Sequence, residues 1–350
     1  MSGPPNDQAT ETTEVRAAHR LPEAALAAYL DKQLGTGAGL RLRQMSVGQS
    51  NPTYLVETAT AAYVLRKQPP GELLRSAHAI DREYRIMAAL ATTAVPVPRM
   101  VHYCADPAVL GTPFYLMERL VGRVFRSAAL PEVPPAERDA YYRAMIGALA
   151  TLHGVDWAAL GLADYGRPGN YYTRQIRRWT EQWANSKVEE NPSIDRLCAW
   201  LPPHIPPGDD TAISHGDFKL DNLMFHPTEP RVIAILDWEL STLGHPLADV
   251  AFNCIAYHVP PDVMGGIGGL DRAALRVPSE AEHVARYLAL TGRSDGMTEF
   301  HLAFAMFRLA VIAEGVLARA RSGNASSDDA ERVGRMGRVL ADTAWGLVRD

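Results

Sequence analysis

The chain is 350 residues long, which is enough to bury a full hydrophobic core and to form two lobes or domains. Its formal net charge of −5, from 35 basic and 40 acidic residues, provides no basic surface field for nucleic acid or anionic lipid. The three cysteines lie far apart, which argues against a disulfide framework or a zinc site and fits a reducing cytoplasm. We therefore expect a cytoplasmic protein that binds neither nucleic acid nor a membrane.

The first third of the chain is predicted to be rich in β-structure. Residues 1–22 lack the apolar segment of a signal peptide and are predicted to form a flexible tail. A helix is predicted over 22–34, and alternation of apolar and polar residues then predicts strands. In chain order the pattern gives three strands between 40 and 67 with a loop at 48–51, a helix over 77–90, and two strands within 95–104 and 112–120.

Helical periodicity dominates after Gly122. Helices are predicted over 136–155, 170–187, 280–291, 296–321 and 328–348. The most apolar of these runs contains His301, Arg308, Glu314 and Arg319, so a buried helix is a better interpretation than a membrane-spanning one. The exception to the helical pattern is a short segment over 211–239 that resembles a β-hairpin.

That exceptional segment concentrates polar side chains. The stretch "ISHGDFKLDNLMF" (213–225) holds Asp217, Lys219 and Asn222 between apolar residues, and Asp237 ends the apolar run "RVIAIL". Phosphoryl transfer needs a carboxylate that orients or deprotonates the acceptor hydroxyl, and hard oxygen ligands that hold Mg²⁺. We assign Asp217 to the first role, Asn222 and Asp237 to the metal, and Lys219 to the charge of the transferred group. Any one of them alone is more typical of a loop residue; their common spacing favours catalysis.

The order Asp-x-Lys-x-x-Asn matches the protein-kinase catalytic loop, with Gly216 where kinases carry Arg. With His215 before it, the stretch resembles the aminoglycoside phosphotransferase and choline-kinase-like family of small-molecule kinases. The segments "VLRKQPPG", "IDREYRIMAAL" and "ILDWELSTLGHPLADVAFN" are most similar to the kinase-like domains associated with acyl-CoA dehydrogenases. The resemblance covers about residues 25–345. It implies a two-lobe, protein-kinase-like α+β fold, with a β-rich N-lobe over 23–116 and a mostly helical C-lobe over 117–350.

The resemblance also implies a nucleotide site made of a covering loop and a hinge strand. The covering loop has only one glycine of the kinase pattern, but its backbone N–H groups and a hydroxyl could meet phosphate oxygens. The implied residues of the loop and the hinge are Gly48, Ser50, Asn51, Met117, Glu118 and Leu120.

The third strand is expected to carry a phosphate-pairing cation. Aligning "YVLR" with the kinase strand places Val64 over adenine and Arg66 near the phosphates, with Glu83 as the partner of Arg66. Since neighbours in a strand face opposite sides, only one of Arg66 and Lys67 can face the nucleotide. With Arg66 in that position, Lys67 is expected to meet solvent. The alternative is therefore Lys67, with a strand register shifted by one residue.

Two residues near the catalytic loop have roles that the sequence leaves open. Asp249 either accepts backbone N–H groups of the catalytic loop or caps a helix. His215 is expected to have a structural role and not to carry a proton.

The implied activity is ATP- and Mg²⁺-dependent transfer of the γ-phosphoryl group to a hydroxyl of a small molecule. Helix 170–187 carries Arg174, Arg177 and Arg178, which suits an anionic or neutral acceptor better than a polycationic aminoglycoside. The resemblance suggests a hydroxyacyl-CoA or a related metabolite as the acceptor, and a functional link to an acyl-CoA dehydrogenase. The alternatives are an aminoglycoside kinase and a non-catalytic, kinase-like binding module. ATP or GTP preference and oligomeric state are not specified by the sequence.

Overall fold

The computed structural model describes residues 12–45, 51–69, 79–321 and 327–349. The chain divides into two compact units. Unit 1 comprises Met1–Val124, Ala158–Leu162 and Asn222–Ser241, and unit 2 comprises Phe125–Trp157, Ala163–Asp221 and Thr242–Asp350. The segment Asn222–Ser241 therefore belongs with the first part of the chain, whereas the division expected from the sequence placed it in the C-terminal lobe.

Strands occur mainly in unit 1, where six of them form one antiparallel sheet. The strands in chain order are β1 Thr12–Thr13, β2 Arg41–Met45, β3 Thr53–Glu57, β4 Ala62–Lys67, β5 Met100–Cys104, β6 Phe114–Glu118, β7 Ala212–Ser214, β8 Leu223–Phe225, β9 Val232–Ile235 and β10 Thr242–Gly244. The six-stranded sheet of unit 1 has the order β1-β2-β3-β4-β6-β5. It contains the five predicted strands and one more, β1.

Strand β1 lies in the segment that was expected to be a flexible tail. Thr12 pairs with Met45, and the hydroxyl of Tyr54 donates a 2.7 Å hydrogen bond to the carbonyl oxygen of His19. The prediction of a tail is therefore wrong from Thr12 onward, because these residues add a strand to the sheet edge and hydrogen-bond to its face. Residues 1–11 lie outside the described part of the chain.

The helices of both units, in chain order, are α1 Glu23–Leu34, α2 Ile80–Leu90, α3 Pro107–Leu110, α4 Arg138–His153, α5 Tyr171–Ser186, α6 Pro192–Trp200, α7 Pro246–Cys254, α8 Arg272–Leu275, α9 Glu280–Thr291, α10 Glu299–Arg321 and α11 Ser327–Val348.

In unit 1, helices α1 and α2 lie on opposite faces of the sheet. Leu26 and Leu30 of α1 pack in one cluster with Leu65 of β4. Because strand neighbours alternate, Arg66 faces the opposite side, where α2 lies.

The hairpin of β8 and β9 is the second β-element of unit 1. The backbone N–H of Ile235 donates to the carbonyl of Pro96 (2.8 Å), and Arg123 forms a β-bridge with Phe225. These contacts explain why Asn222–Ser241 belongs to unit 1 although it lies between helical segments in the sequence.

Unit 2 is mostly helical, with β7 and β10 as a small antiparallel pair. Its central helix is α10, whose Ala303, Met306 and Phe307 are fully buried among residues of α5, α6, α7 and α11. By length and composition Glu299–Arg319 could cross a membrane, but 83% of its most apolar window is buried inside the protein. The prediction of a buried helix is confirmed.

Candidate active site

A buried ion pair joins β4 and α2 in unit 1. The Nε atom of Arg66 lies 3.1 Å from Oε2 of Glu83, and both side chains are almost fully buried. The other contacts of Glu83 are also donors: Nδ2 of Asn51 at 2.9 Å and the hydroxyl of Tyr115 at 3.0 Å. Burial raises the pKa of Glu83, against the pull of Arg66, which lowers it. The strand register with Arg66 beside Glu83 is thus the one that the sequence favoured.

The guanidinium of Arg66 also contacts Asp237. Its Nη2 atom lies 2.7 Å from Oδ1 of Asp237 and 3.7 Å from a carboxylate oxygen of Glu239. Asp237 has a left-handed backbone conformation (φ +64°), which is uncommon for a residue other than glycine. Such strained positions are concentrated at functional sites. Arg66 therefore links the α2 glutamate to the carboxylate that follows β9.

Lys67 has a different environment from the one expected. Its ammonium donates a 2.5 Å hydrogen bond to the hydroxyl of Thr112, and the residue as a whole is only 6% exposed. The expectation that Lys67 meets solvent is wrong, because the face of β4 opposite Arg66 is covered by α1 and by the chain near Thr112. Burial lowers the pKa of Lys67. Lys67 nevertheless lies away from Glu83, as the alternation in the strand requires.

The predicted nucleotide-binding residues of the strands lie in register with one another. Val64 of β4 pairs with Met117 of β6 and is 7% exposed. Glu118 accepts a hydrogen bond from the backbone N–H of Arg99 at 2.8 Å. Leu120 packs beside the small cluster of the β8–β9 hairpin. Their contact with a nucleotide stays a prediction.

The covering loop is only partly described. Gly48 and Ser50 lie outside the described residues. Asn51 is fully buried and binds Glu83, so its side chain orients the glutamate that holds Arg66. This is a different contact from the phosphate contact that the resemblance implied for the loop.

Asn222 and Asp237, the two predicted metal ligands, are held close along the backbone of unit 1. The N–H of Leu236, the residue before Asp237, donates a 2.8 Å hydrogen bond to the carbonyl oxygen of Asn222. The side chain of Asp237 is 28% exposed, so it is not sealed from solvent. An amide oxygen and a carboxylate oxygen are hard ligands of the kind that Mg²⁺ prefers. The donor set fits the proposed metal.

The part of the catalytic loop up to Asp221 belongs to unit 2. The ammonium of Lys219 lies 3.4 Å from a carboxylate oxygen of Asp217 and 3.4 Å from one of Asp221. Burial opposes the charge of Lys219, but the attraction of the two carboxylates is larger, so the pKa of Lys219 is raised. Lys219 is therefore a permanent cation beside Asp217.

Asp249 resolves the alternative that the sequence left open. It accepts the backbone N–H of His215 at 2.7 Å and that of Gly216 at 2.9 Å, while His245, not Asp249, caps helix α7. Burial disfavours its charge, but the hydrogen bonds from His153 and from the loop outweigh that effect and lower the pKa of Asp249. Asp249 thus anchors the catalytic loop. His215 is fully buried and accepts the N–H of Asp217 at 3.2 Å, which agrees with a structural role.

Sequence reasoning missed two residues that contact the same loop. Arg308 of α10 donates to the carbonyl of Gly216, and Asn253 of α7 donates to the carbonyl of Phe218 at 3.2 Å. His283 of α9 in turn contacts Oδ1 of Asn253 at 2.8 Å. The only signal for Arg308 was its charge within an apolar run; a helical pattern cannot show which backbone group a buried arginine meets.

A buried arginine–glutamate pair on the antiparallel sheet of unit 1, and an Asp-x-Lys-x-x-Asn segment whose Asp217 and Lys219 lie in the helical unit 2, define a kinase-like phosphotransferase. The chain belongs to the phosphotransferase enzyme family, whose model matches residues 41–288. Acyl-CoA dehydrogenase family member 10 of Mus musculus is 43% identical over 339 residues, which are 95% of this chain and 32% of the relative. Member 11 of Gallus gallus is 43% identical over 349 residues, 96% of this chain and 44% of the relative. The chain spans less than half of these relatives.

Solved structures share the fold over nearly the whole chain. A protein from Ralstonia eutropha JMP134, provisionally named an aminoglycoside phosphotransferase, superposes with a TM-score of 0.86 at 47% identity and covers 94% of this chain and 99% of its own. The aminoglycoside phosphotransferase APH(4)-Ia, solved with ADP and hygromycin B, has a TM-score of 0.61 at 15% identity over 93% of this chain and 99% of its own. At that identity the likeness concerns the fold alone.

Proposed function

We propose that the protein transfers the γ-phosphoryl group of ATP, with Mg²⁺, to a hydroxyl group of a small molecule. The observation that carries the proposal is the contact of Arg66 with both Glu83 and Asp237. A cation held by a buried helix glutamate and by the carboxylate after β9 corresponds to the arrangement by which kinases bind phosphate and metal. A binding module without chemistry would not need these residues together with Asp217.

Each residue has a defined task in this proposal. Asp217 orients the acceptor hydroxyl and receives its proton, and Lys219 neutralises charge on the moving phosphoryl group. Arg66 pairs with the nucleotide phosphates. Asn222 and Asp237 would hold Mg²⁺, which supplies charge neutralisation on the phosphate oxygens when bound.

The acceptor is proposed to bind in a cleft of unit 2. This cleft has about 500 Å³ of empty space, part of it open to solvent, and the catalytic-loop residues 219–221 form one of its sides. The other sides are mainly apolar, with Met145, Phe252 and Met264 among them, and Arg126 adds a charge. Arg126 is exposed, and no carboxylate of the described part of the chain forms an ion pair with it.

The charge of this cleft favours a neutral or anionic acceptor with an apolar part. The lining contains two cations, Arg126 and Lys219, and one carboxylate, that of Asp221. Lys219 lies 3.4 Å from the carboxylates of Asp217 and Asp221, so Arg126 is the cation left to interact with the acceptor. An aminoglycoside with several ammonium groups would meet Arg126 as a like charge, which disfavours binding. A hydroxyacyl-CoA or a related hydroxylated metabolite combines an apolar chain with negative charge. The names of the relatives support a functional link to an acyl-CoA dehydrogenase.

The test is a screen for ATP-dependent phosphorylation, with detection of the mass of one added phosphate. The panel contains hydroxyacyl-CoAs, the corresponding free hydroxy acids and aminoglycosides, and Asp217→Asn is the control enzyme. We expect transfer to a hydroxylated, neutral or anionic compound, dependent on Mg²⁺ and lost in the control. Transfer only to aminoglycosides would refute the acceptor class. If calorimetry shows no ATP binding, the proposal of a kinase is refuted, and the non-catalytic binding module is the alternative that remains.

A further inference from the structure

Arg308 is a buried arginine at the centre of α10. The residue is 7% exposed, and its Nη2 atom donates a short hydrogen bond to the carbonyl oxygen of Gly216. The guanidinium carbon lies 5.2 Å from the centre of the Phe252 ring. These contacts are to a carbonyl and a ring, neither of which carries a full negative charge.

A buried cation with such partners is costly. Removing a guanidinium from water is unfavourable unless its hydrogen bonds and a counter-charge compensate. An apolar residue on α10 would fill the core at lower cost, so the arginine must be explained by the carbonyl that it holds.

That carbonyl belongs to the peptide group immediately before Asp217. The N–H of the same peptide group donates to Nδ1 of His215 at 3.2 Å. The two polar atoms of this peptide group are therefore both fixed, one by Arg308 and one by His215. Gly216 adopts φ +83°, a conformation that glycine allows without steric cost. Since the Cα of Asp217 is attached to this plane, its orientation determines where the carboxylate points.

The loop is thus held both at its backbone N–H groups and at a backbone carbonyl group. Asp249 accepts the N–H groups of His215 and Gly216, and Arg308 donates to the carbonyl of Gly216. These N–H groups belong to the two preceding peptide groups. The peptide group between Gly216 and Asp217 is itself held by His215 at its N–H and by Arg308 at its carbonyl oxygen.

We propose that Arg308 is a positioning residue that fixes the peptide group between Gly216 and Asp217 and thereby the direction of the Asp217 carboxylate. The inference rests on the proposed function, in which Asp217 orients the acceptor hydroxyl. When no acceptor is bound, Asp217 would orient a water molecule in the same way, and ATP is hydrolysed. The inference adds Arg308, which lies 92 positions beyond Gly216 in the sequence, to the residues required for turnover.

The experiment compares Arg308→Met, Arg308→Lys and Arg308→Ala in the full chain, with ATP hydrolysis as the turnover assay. Arg308→Met should lower kcat about ten- to a hundred-fold, the equivalent of one lost hydrogen bond to a charged group, with KM for ATP unchanged. Arg308→Lys should retain part of kcat because an ammonium can still donate to the carbonyl. Millimolar guanidinium, but not urea, should restore turnover to Arg308→Ala.

Hydrogen exchange provides a readout that does not depend on activity. The backbone amides of residues 215–217 should exchange faster in Arg308→Met than in the wild type, while the amides of β4 do not change. Arg321→Ala is the matched control, since Arg321 lies on the same helix and pairs with the exposed Glu189. It should leave kcat and exchange unchanged.

The results that overturn the inference are specific. A kcat of Arg308→Met within twofold of the wild type, or unchanged exchange at 215–217, shows that Arg308 does not fix the loop. A lower kcat together with a matching rise in KM, and no rescue by guanidinium, shows a general structural role. If the wild type neither binds nor hydrolyses ATP, the proposed function fails; the exchange result then still decides whether Arg308 holds the peptide group.

Discussion

Replacing Arg66 by alanine should destabilise the protein strongly, because it leaves a buried carboxylate without its cation. Glu83 is 1% exposed, so water cannot replace the guanidinium that lies 3.1 Å away. Breaking a buried ion pair typically costs about 3–5 kcal/mol. Asn51 and Tyr115 still donate to Glu83, which favours the lower end, about 3 kcal/mol. The lost contact to the more exposed Asp237 adds at most about 1 kcal/mol.

A double-mutant cycle with Glu83→Gln isolates the pair. Urea unfolding of the wild type, the two single variants and the double variant gives the four free energies of unfolding. In the Glu83→Gln background, the loss of Arg66 no longer leaves a charge without a partner. We expect Arg66→Ala to lower the free energy of unfolding by about 1.5 kcal/mol less in the Glu83→Gln background than in the wild type. Arg119→Ala is the control in the same unit: its pair with Glu57 is partly exposed and should contribute less than about 1 kcal/mol.

The same variants test the nucleotide site. Arg66→Ala should weaken ATP binding about ten- to a hundred-fold by calorimetry, under conditions in which the variant is folded. Lys67→Ala should bind ATP like the wild type, although it loses about 1 kcal/mol of stability with its hydrogen bond to Thr112. A coupling energy below about 0.5 kcal/mol between Arg66 and Glu83, or stronger loss of ATP binding in Lys67→Ala than in Arg66→Ala, would refute the reasoning.

Three further predictions concern chemistry, metal and pH. Asp217→Asn should retain ATP binding but lose about 10²–10⁴-fold in turnover, and near-normal turnover with the acceptor would remove Asp217 from its role. Asp237→Ala should abolish the Mg²⁺-dependent part of thermal stabilisation by ATP; unchanged Mg²⁺–ATP affinity in calorimetry would contradict its role as a ligand. Burial lowers the pKa of His283 from 6.5 to about 4, so between these values the unfolded chain binds more protons and stability falls as the pH falls. In unfolding titrations, His283→Gln should reduce this fall by about 1.4 kcal/mol per pH unit, and an identical slope would show that His283 does not titrate there.

The parts of the site that the sequence predicted are those determined by local periodicity. The alternation of β4 puts Arg66 and Lys67 on opposite faces whatever the rest of the chain does, and the helical period of α2 puts Glu83 on its buried face. The spacing from Asp217 to Asn222 is likewise a property of one short loop. Such features need no knowledge of distant residues, so a motif was sufficient.

Features that depend on pairing between distant segments were predicted less well. The edge strand Thr12–Thr13 is only two residues long, and no periodicity can show it; Met45, the partner of Thr12, lies 33 positions further along the chain. The burial of Lys67 depends on Thr112, which lies 45 positions away. Asp249 had two equally good local interpretations, because a carboxylate near a helix start can accept N–H groups from that helix or from another segment.

Two arginines, Arg66 of unit 1 and Arg308 of unit 2, show this difference most directly. Arg66 follows an alternating pattern, and its partner glutamate stands where the kinase pattern has one, so its contact could be inferred. Arg308 lies in an apolar helical run where a charge conflicts with the local pattern, and its partner is a carbonyl, which every residue possesses and no sequence displays. A conflict between a local pattern and a buried charge therefore indicates that a residue acts on distant backbone, without indicating where. Only the folded chain identifies that backbone group as the peptide before Asp217.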